Sequence, residues 1–171
     1  MEYFYRVEQK DEEIPGSTQS LVSFCDAIKE SRMKIDISPF EKALSQLKRS
    51  LGYLHSDLAR QDPGLEEQFR AATIQTFEYT YELGIKMLRR QLEQIAANPA
   101  GIRQMAFMDM VRTGAEAGLV KDVARYRVYR EMRNMTSHTY DEAKANEVLS
   151  VLGDFLQEMY FLRDELELRN G

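Results

Sequence analysis

Apolar residues recur along most of this chain at intervals of three and four, the spacing that lines up side chains on one face of an α-helix. Phe40, Leu44, Leu47, Leu51, Leu54 and Leu58 trace the first such face. Ser38 and Glu41 ahead of it make a capping-box pattern, with Pro39 at the first helical position, where its missing N–H does no harm. Losing such a cap costs about 0.5–2 kcal/mol. The turn Gln61-Asp62-Pro63-Gly64 leads into a second helix from about Leu65 to Ala97, stopped by Asn98-Pro99. Its buried stripe is Phe69, Phe77, Tyr81, Leu88, Leu92 and Ile95.

A third, shorter helix spans Ile102 to about Thr113 on Met105, Phe107, Met108 and Val111, and Gly114, Gly118 and Leu119 punctuate the stretch after it. A fourth runs from Asp122 to Asn134 and carries Val123, Tyr126, Tyr129 and Met132. The last extends from Asp141 to about Arg169 on Ala145, Val148, Leu149, Leu152, Phe155, Leu156, Met159, Leu162 and Leu166. Each fully buried large side chain contributes about 1.5–3 kcal/mol, so these stripes outweigh surface ion pairs in setting the fold. The pattern predicts an all-α, antiparallel up-and-down bundle of about five helices over residues 33–171.

Residues 1–32 read as a short N-terminal appendage to which the pattern assigns no role. Tyr3-Phe4-Tyr5-Arg6-Val7 reads as a short strand, Ile14-Pro15-Gly16-Ser17 as a turn, and Leu21, Val22, Phe24, Cys25 and Ile28 as one apolar helix face. Met33-Lys34-Ile35-Asp36 would itself make a plausible start.

Composition narrows the function classes. With 43% apolar and 30% charged residues over 171 positions, the chain has enough core for one globular domain. A single cysteine, Cys25, cannot form an internal disulfide, and no secretory leader or run of about 18 apolar residues is visible, so cytoplasmic residence without a membrane partner is expected. A net charge of −5 argues against a surface that coats nucleic acid broadly. Locally the balance reverses: Lys121, Arg125, Arg127, Arg130 and Arg133 oppose only Asp122 and Glu131. Zinc spacing and a phosphate-cradling glycine loop are both missing, so neither metal nor cofactor is expected. Glu78, Glu82 and Lys86 repeat every four residues, a salt-bridged helix face more than a metal site, and His55 has no ligand partner beside it.

Chemistry concentrates in one segment, Arg133-Asn134-Met135-Thr136-Ser137-His138-Thr139-Tyr140-Asp141. A guanidinium matches two phosphate oxygens at once, and an imidazole exchanges protons near neutral pH. Five positions separate Arg133 from His138, a rotation of about 140° on a continuous helix, so the helix is expected to stop between them. Asn134, Thr136 and Ser137 compete for backbone hydrogen bonds there, and Asp141 is placed to cap the next helix. A basic last turn also complements the negative helix terminus, which is a structural reason for Arg130 and Arg133 that requires no substrate.

The run from Arg133 to Tyr140 resembles the R-x4-H-x-Y signature of the HEPN superfamily, and RNMTSHTYDE is similar to its nucleotidyltransferase substrate-binding branch. Phe77-Glu78-Tyr79-Thr80-Tyr81-Glu82-Leu83 and Arg112-Thr113-Gly114-Ala115-Glu116-Ala117-Gly118-Leu119-Val120 resemble two further stretches of that branch, and the likeness covers roughly residues 34–168. Tyr126 departs from it, standing where a tryptophan is usual. The resemblance implies a partner, a minimal nucleotidyltransferase in a toxin–antitoxin-like module, and a homodimer that pairs two motifs in a cleft. It implies Arg133 and His138 as catalytic residues of a metal-independent ribonuclease, Tyr140 as a modification target, and Glu78 and Glu82 as supports.

Three readings stay open on the sequence. In the first, His138 moves the proton, Arg133 stabilises the phosphorane-like transition state, Asn134 orients the phosphate or the His-bearing loop, Tyr140 contacts RNA or is modified, and Arg130 binds or supports the substrate. In the second, the same residues hold a nucleotide or other substrate for the transferase. In the third they cap a helix and fill a loop in a helical adaptor.

Overall fold

The computed structural model describes residues 34–138 and 140–170, so the expectations for residues 1–32, Cys25 included, lie outside the described residues. Among the described residues every regular element is helical: α1 Ser38–Leu54, α2 Asp57–Gln61, α3 Pro63–Ile95, α4 Pro99–Gln104, α5 Phe107–Glu116, α6 Val123–Met135, a 3-10 turn Thr136–His138, α7 Glu142–Ser150 and α8 Leu152–Asn170. No helix among them is long and apolar enough to cross a membrane.

Side-chain pairings fix the directions. Tyr53 stacks on Phe69 at 5.7 Å and the Tyr79 hydroxyl donates to Gln46 at 2.6 Å, so α1 and α3 run antiparallel. Thr136 and Arg133 meet Glu78 and Arg133 also meets Glu82, which sets α6 antiparallel to α3. Tyr129 packs on Phe155 while the Lys121 N–H bonds Glu158, so α8 reverses again. The result is the up-and-down arrangement expected. Its centre is Phe155, fully buried, with the rings of Phe77 at 4.9 Å and Tyr129 at 5.1 Å both edge-on to it. A Cβ on Gly84 would lie 2.6 Å from the Met159 sulfur and 3.3 Å from the Phe40 ring, so this glycine permits the close approach of α3 to α1 and α8.

Three expected helices are each divided in two. The first ends at Leu54 because the Ser56 hydroxyl accepts the Ala59 N–H at 3.3 Å and starts α2; Leu58 leaves the seam and is 54% exposed. The third is broken where Met105 and Ala106 are extended, separating α4 from α5. The last is interrupted at Val151 (φ −95°, ψ −9°), and the Phe155 N–H to Val151 carbonyl bond of 2.9 Å restarts it as α8. Ile95, expected on the buried stripe of α3, is 39% exposed at its last turn.

The expected capping box also takes a different form. Ser38 is already helical and Ile37 is the N-cap, with no side-chain bond of its own. Asp36 instead accepts the Ser38 N–H at 3.0 Å, and its hydrogen bonds from Ser38 hold its carboxyl below the usual range. By contrast Asp122 and Asp141 cap α6 and α7, accepting the N–H groups of Ala124 at 2.9 Å and Ala143 at 3.0 Å. Between α5 and α6, Gly118 takes φ +73°, and the bonds Leu119 N–H to Gly114 carbonyl and Gly118 N–H to Ala115 carbonyl close α5 as a Schellman motif.

Candidate functional site

The candidate site is built at the C-terminal end of α6, where that helix crosses the middle of α3. Tyr126, Tyr129 and Met132 bury one side of α6 in the core, which leaves Arg127, Arg130 and Asn134 on its exposed side and Arg133 between the two. The helix stops at Met135, between Arg133 and His138 as expected, and Thr136–His138 continue as a single 3-10 turn.

Two carboxylates of α3 clasp Arg133. Its Nε donates to Glu82 at 3.0 Å and its Nη1 lies 3.5 Å from Glu78. Glu78 also accepts the hydroxyl of Thr136, a residue only 7% exposed that opens the turn carrying His138. Glu78 therefore joins the arginine and the histidine-bearing turn through one side chain. Glu82 is drawn across to α6 instead of along its own helix to Lys86, so the salt-bridged face expected within α3 is made between helices. Two carboxylates against one guanidinium leave this cluster with net negative charge.

His138 and Tyr140 are both exposed, their rings edge-on at 6.1 Å, and Tyr140 is 86% accessible. Asn134 is exposed one residue beyond Arg133, and its carbonyl accepts the Ser137 hydroxyl at 3.1 Å, which tightens the turn. Arg130 lies over the Phe107 ring at 4.7 Å, a cation–π contact that orients its guanidinium. The expected basic stretch is thus partly neutralised: Arg125 pairs with Asp154 at 2.5 Å and with Asp122 at 3.4 Å, and Arg133 with the two glutamates. Arg127 and Arg130 have no carboxylate partner among the described residues. Tyr81 stands between the two α3 glutamates in sequence but turns into the core, and burial pushes its phenol up to about 12.

On the far side of Tyr140 lies a groove of about 450 Å³ against the start of α3. Arg70 in its wall pairs with Glu66 at 2.7 Å and Glu142 at 3.4 Å, and Glu67 adds a third carboxylate. The sequence alone does not reveal this groove, because it depends on α7 meeting α3. Thr136 is legible there only as a helix breaker; the clue to its tie with Glu78 is its place three residues after Arg133.

Comparison with known proteins identifies the family and the fold. Residues 35–168, which include every candidate side chain just described, match the family model described as nucleotidyltransferase substrate binding protein like. A protein of Haemophilus influenzae described as probable ribonuclease HepT is 43% identical over 106 residues, covering 62% of this chain and 73% of its own length. A solved Haemophilus influenzae structure, reported to reveal the fold of a substrate binding domain of a nucleotidyltransferase, superposes with a TM-score of 0.74 at 35% identity, over 77% of this chain and 99% of that one. With both the sequence of the site helices and the course of the bundle shared, the chain belongs to the nucleotidyltransferase substrate binding protein like family.

Proposed function

We propose that this protein is a metal-independent endoribonuclease whose active groups are His138 and Arg133, restrained by a nucleotidyltransferase partner in a toxin–antitoxin-like module in the cytoplasm. The observation that carries the reading is the end of α6: the helix stops at Met135 and one 3-10 turn delivers an exposed His138 five residues after a clasped Arg133. The probable ribonuclease description of the 43%-identical relative supports the same chemistry.

In the proposed step the ribose 2′-oxygen attacks the adjacent phosphorus, and the bond from phosphorus to the 5′-oxygen breaks. The 2′-hydroxyl proton goes to a base and a proton is supplied to the departing 5′-oxygen, leaving a 2′,3′-cyclic phosphate and a 5′-hydroxyl. Arg133 presents its Nη2 donors to the phosphoryl oxygens while Glu82 accepts from its Nε and Glu78 lies against its Nη1. Asn134 orients the phosphate. One imidazole cannot accept and donate in the same concerted step, so a two-fold dimer supplies the second His138. Light scattering at micromolar concentration is expected to give a dimer mass; a monomer that still cleaves would exclude the paired site.

Glu78 acts here as a positioning residue. Glu78→Ala is expected to lower kcat about 10- to 100-fold by loosening both Arg133 and the His138 turn. Its cost in stability is about 1 kcal/mol or less, because the Arg133–Glu78 pair is partly exposed. Paired measurements of kcat and urea midpoint check this, and an unchanged kcat would remove Glu78 from the mechanism.

A second reading, favoured by the exposure of His138 and Asn134 beside Arg133, is a substrate-presenting subunit in which these side chains hold a nucleotide phosphate for the transferase. In the first reading the 86% exposure of Tyr140 suits its hydroxyl as the point of restraint, where the transferase attaches nucleotide. Assay of the native chain, His138→Ala and Arg133→Ala on single-stranded RNA with chelator present separates the two. Cleavage lost in both folded variants supports the nuclease; no cleavage by the native chain, with saturable binding of nucleotide or transferase, supports the subunit.

A further inference from the structure

We propose that the exposed side of α6 is a track for single-stranded RNA, with Arg127 and Arg130 of each protomer holding phosphates on the approach to the cut. This rests on the ribonuclease reading and adds to it the path of the strand. Arg127, Arg130 and Asn134 occupy positions i, i+3 and i+7 of one helix, so they form a line rising about 4.5 and 10.5 Å from the first residue. That line lies opposite the buried Tyr126, Tyr129 and Met132 and ends at the turn carrying His138.

The two arginines are the cations of α6 left for a ligand. Arg125 and Arg133 are engaged by carboxylates, and Lys121 lies 4.3 Å over the Phe161 ring at the opposite end. Arg130 is already held on Phe107, which reduces what ordering it costs to bind a phosphate with its free edge. Beyond His138 the sign of the surface changes. The groove past Tyr140 sets Glu66, Glu67 and Glu142 against the single guanidinium of Arg70, and a polyanion gains nothing there. Glu131, exposed one turn from Arg127, is the carboxylate that works against the track from within it.

The test measures binding of the full chain to a single-stranded RNA kept intact by 2′-O-methyl groups, and in parallel kcat and KM on the cleavable strand. Arg127→Gln and Arg130→Gln are each expected to raise Kd and KM about tenfold with kcat unchanged, and to reduce the slope of log Kd against log salt by about 0.7. Glu131→Gln is expected to tighten binding. Lys48→Gln on α1, which makes the same change in net charge, is expected to leave Kd unchanged. Equal Kd in native and Arg127→Gln protein, or an equal rise in Lys48→Gln, would overturn the track. Failure of the native chain to cleave would sink the ribonuclease reading alone, since the binding series still decides whether α6 holds the strand.

Discussion

Replacing His138 with alanine is expected to lower RNA cleavage about 10²- to 10⁴-fold, the range that general acid–base transfer contributes, while leaving the thermal midpoint within a degree or so of the native value. The two halves of that expectation have different origins. His138 is exposed at the end of a 3-10 turn, so truncating it removes no core contact. The turn is instead held by Thr136, buried and bonded to Glu78 and to the Arg133 carbonyl at 2.8 Å, and by Asp141, whose N–H donates to the His138 carbonyl at 3.1 Å. None of these bonds uses the imidazole. Arg133→Ala is expected to lose about 10²- to 10³-fold, but it also frees two carboxylates of α3 from their cation, so its effect on stability is not silent. A folded His138→Ala protein with native kcat would remove the histidine from the chemistry.

The largest effect on stability is expected at Phe155. Its ring is fully buried and meets Phe77, Tyr129 and Tyr81, so it joins α3, α6 and α8 at one point. Truncation to alanine removes the transfer free energy of the ring and leaves a cavity that three long helices cannot close, a loss of about 3–5 kcal/mol. For a domain of this size that corresponds to a fall of about 6–20 °C in Tm. Phe155→Leu, which keeps most of the volume, is expected to lose distinctly less. Urea unfolding of the two variants checks the order. Equal, small losses would mean that the aromatic cluster is not the centre of the bundle, and with it would go the account of how α6 is held against α3.

How much of this is legible in the sequence depends on the range of the interaction. Asp122 and Asp141 announce α6 and α7 because a cap bonds within three residues, and the stop between Arg133 and His138 follows from helical geometry and local polar side chains. Periodicity likewise finds Phe40, Leu44, Phe77, Leu88, Phe155 and Leu162, all buried. It overruns at Leu58 and across Val151, because an apolar pattern continues through a short break that changes direction without changing composition. The capping box at Ser38 is misplaced by one step, since Asp36 and Ser38 are both good cap residues and Pro39 is acceptable at either of the first two positions.

The candidate site divides along the same line. Arg133, Asn134, His138 and Tyr140 stand in one short run and are visible together. What holds them is not. The clasp of Arg133 by Glu78 and Glu82 spans roughly fifty residues of chain and exists only because α3 and α6 cross there. On α3 alone the two glutamates point to an ordinary ion pair with Lys86, an interaction worth only about 0.2–0.5 kcal/mol on a helix surface. The same distance in sequence hides the acidic groove beside Tyr140, whose walls come from α3 and α7.

Analysis of the product ends after digestion of a single-stranded RNA in excess chelator tests the central claim most directly. The account predicts 2′,3′-cyclic phosphates and 5′-hydroxyls from the native chain, with both lost in His138→Ala. Products ending in 5′-phosphate and 3′-hydroxyl, or an RNA left intact by a folded dimer, would contradict it.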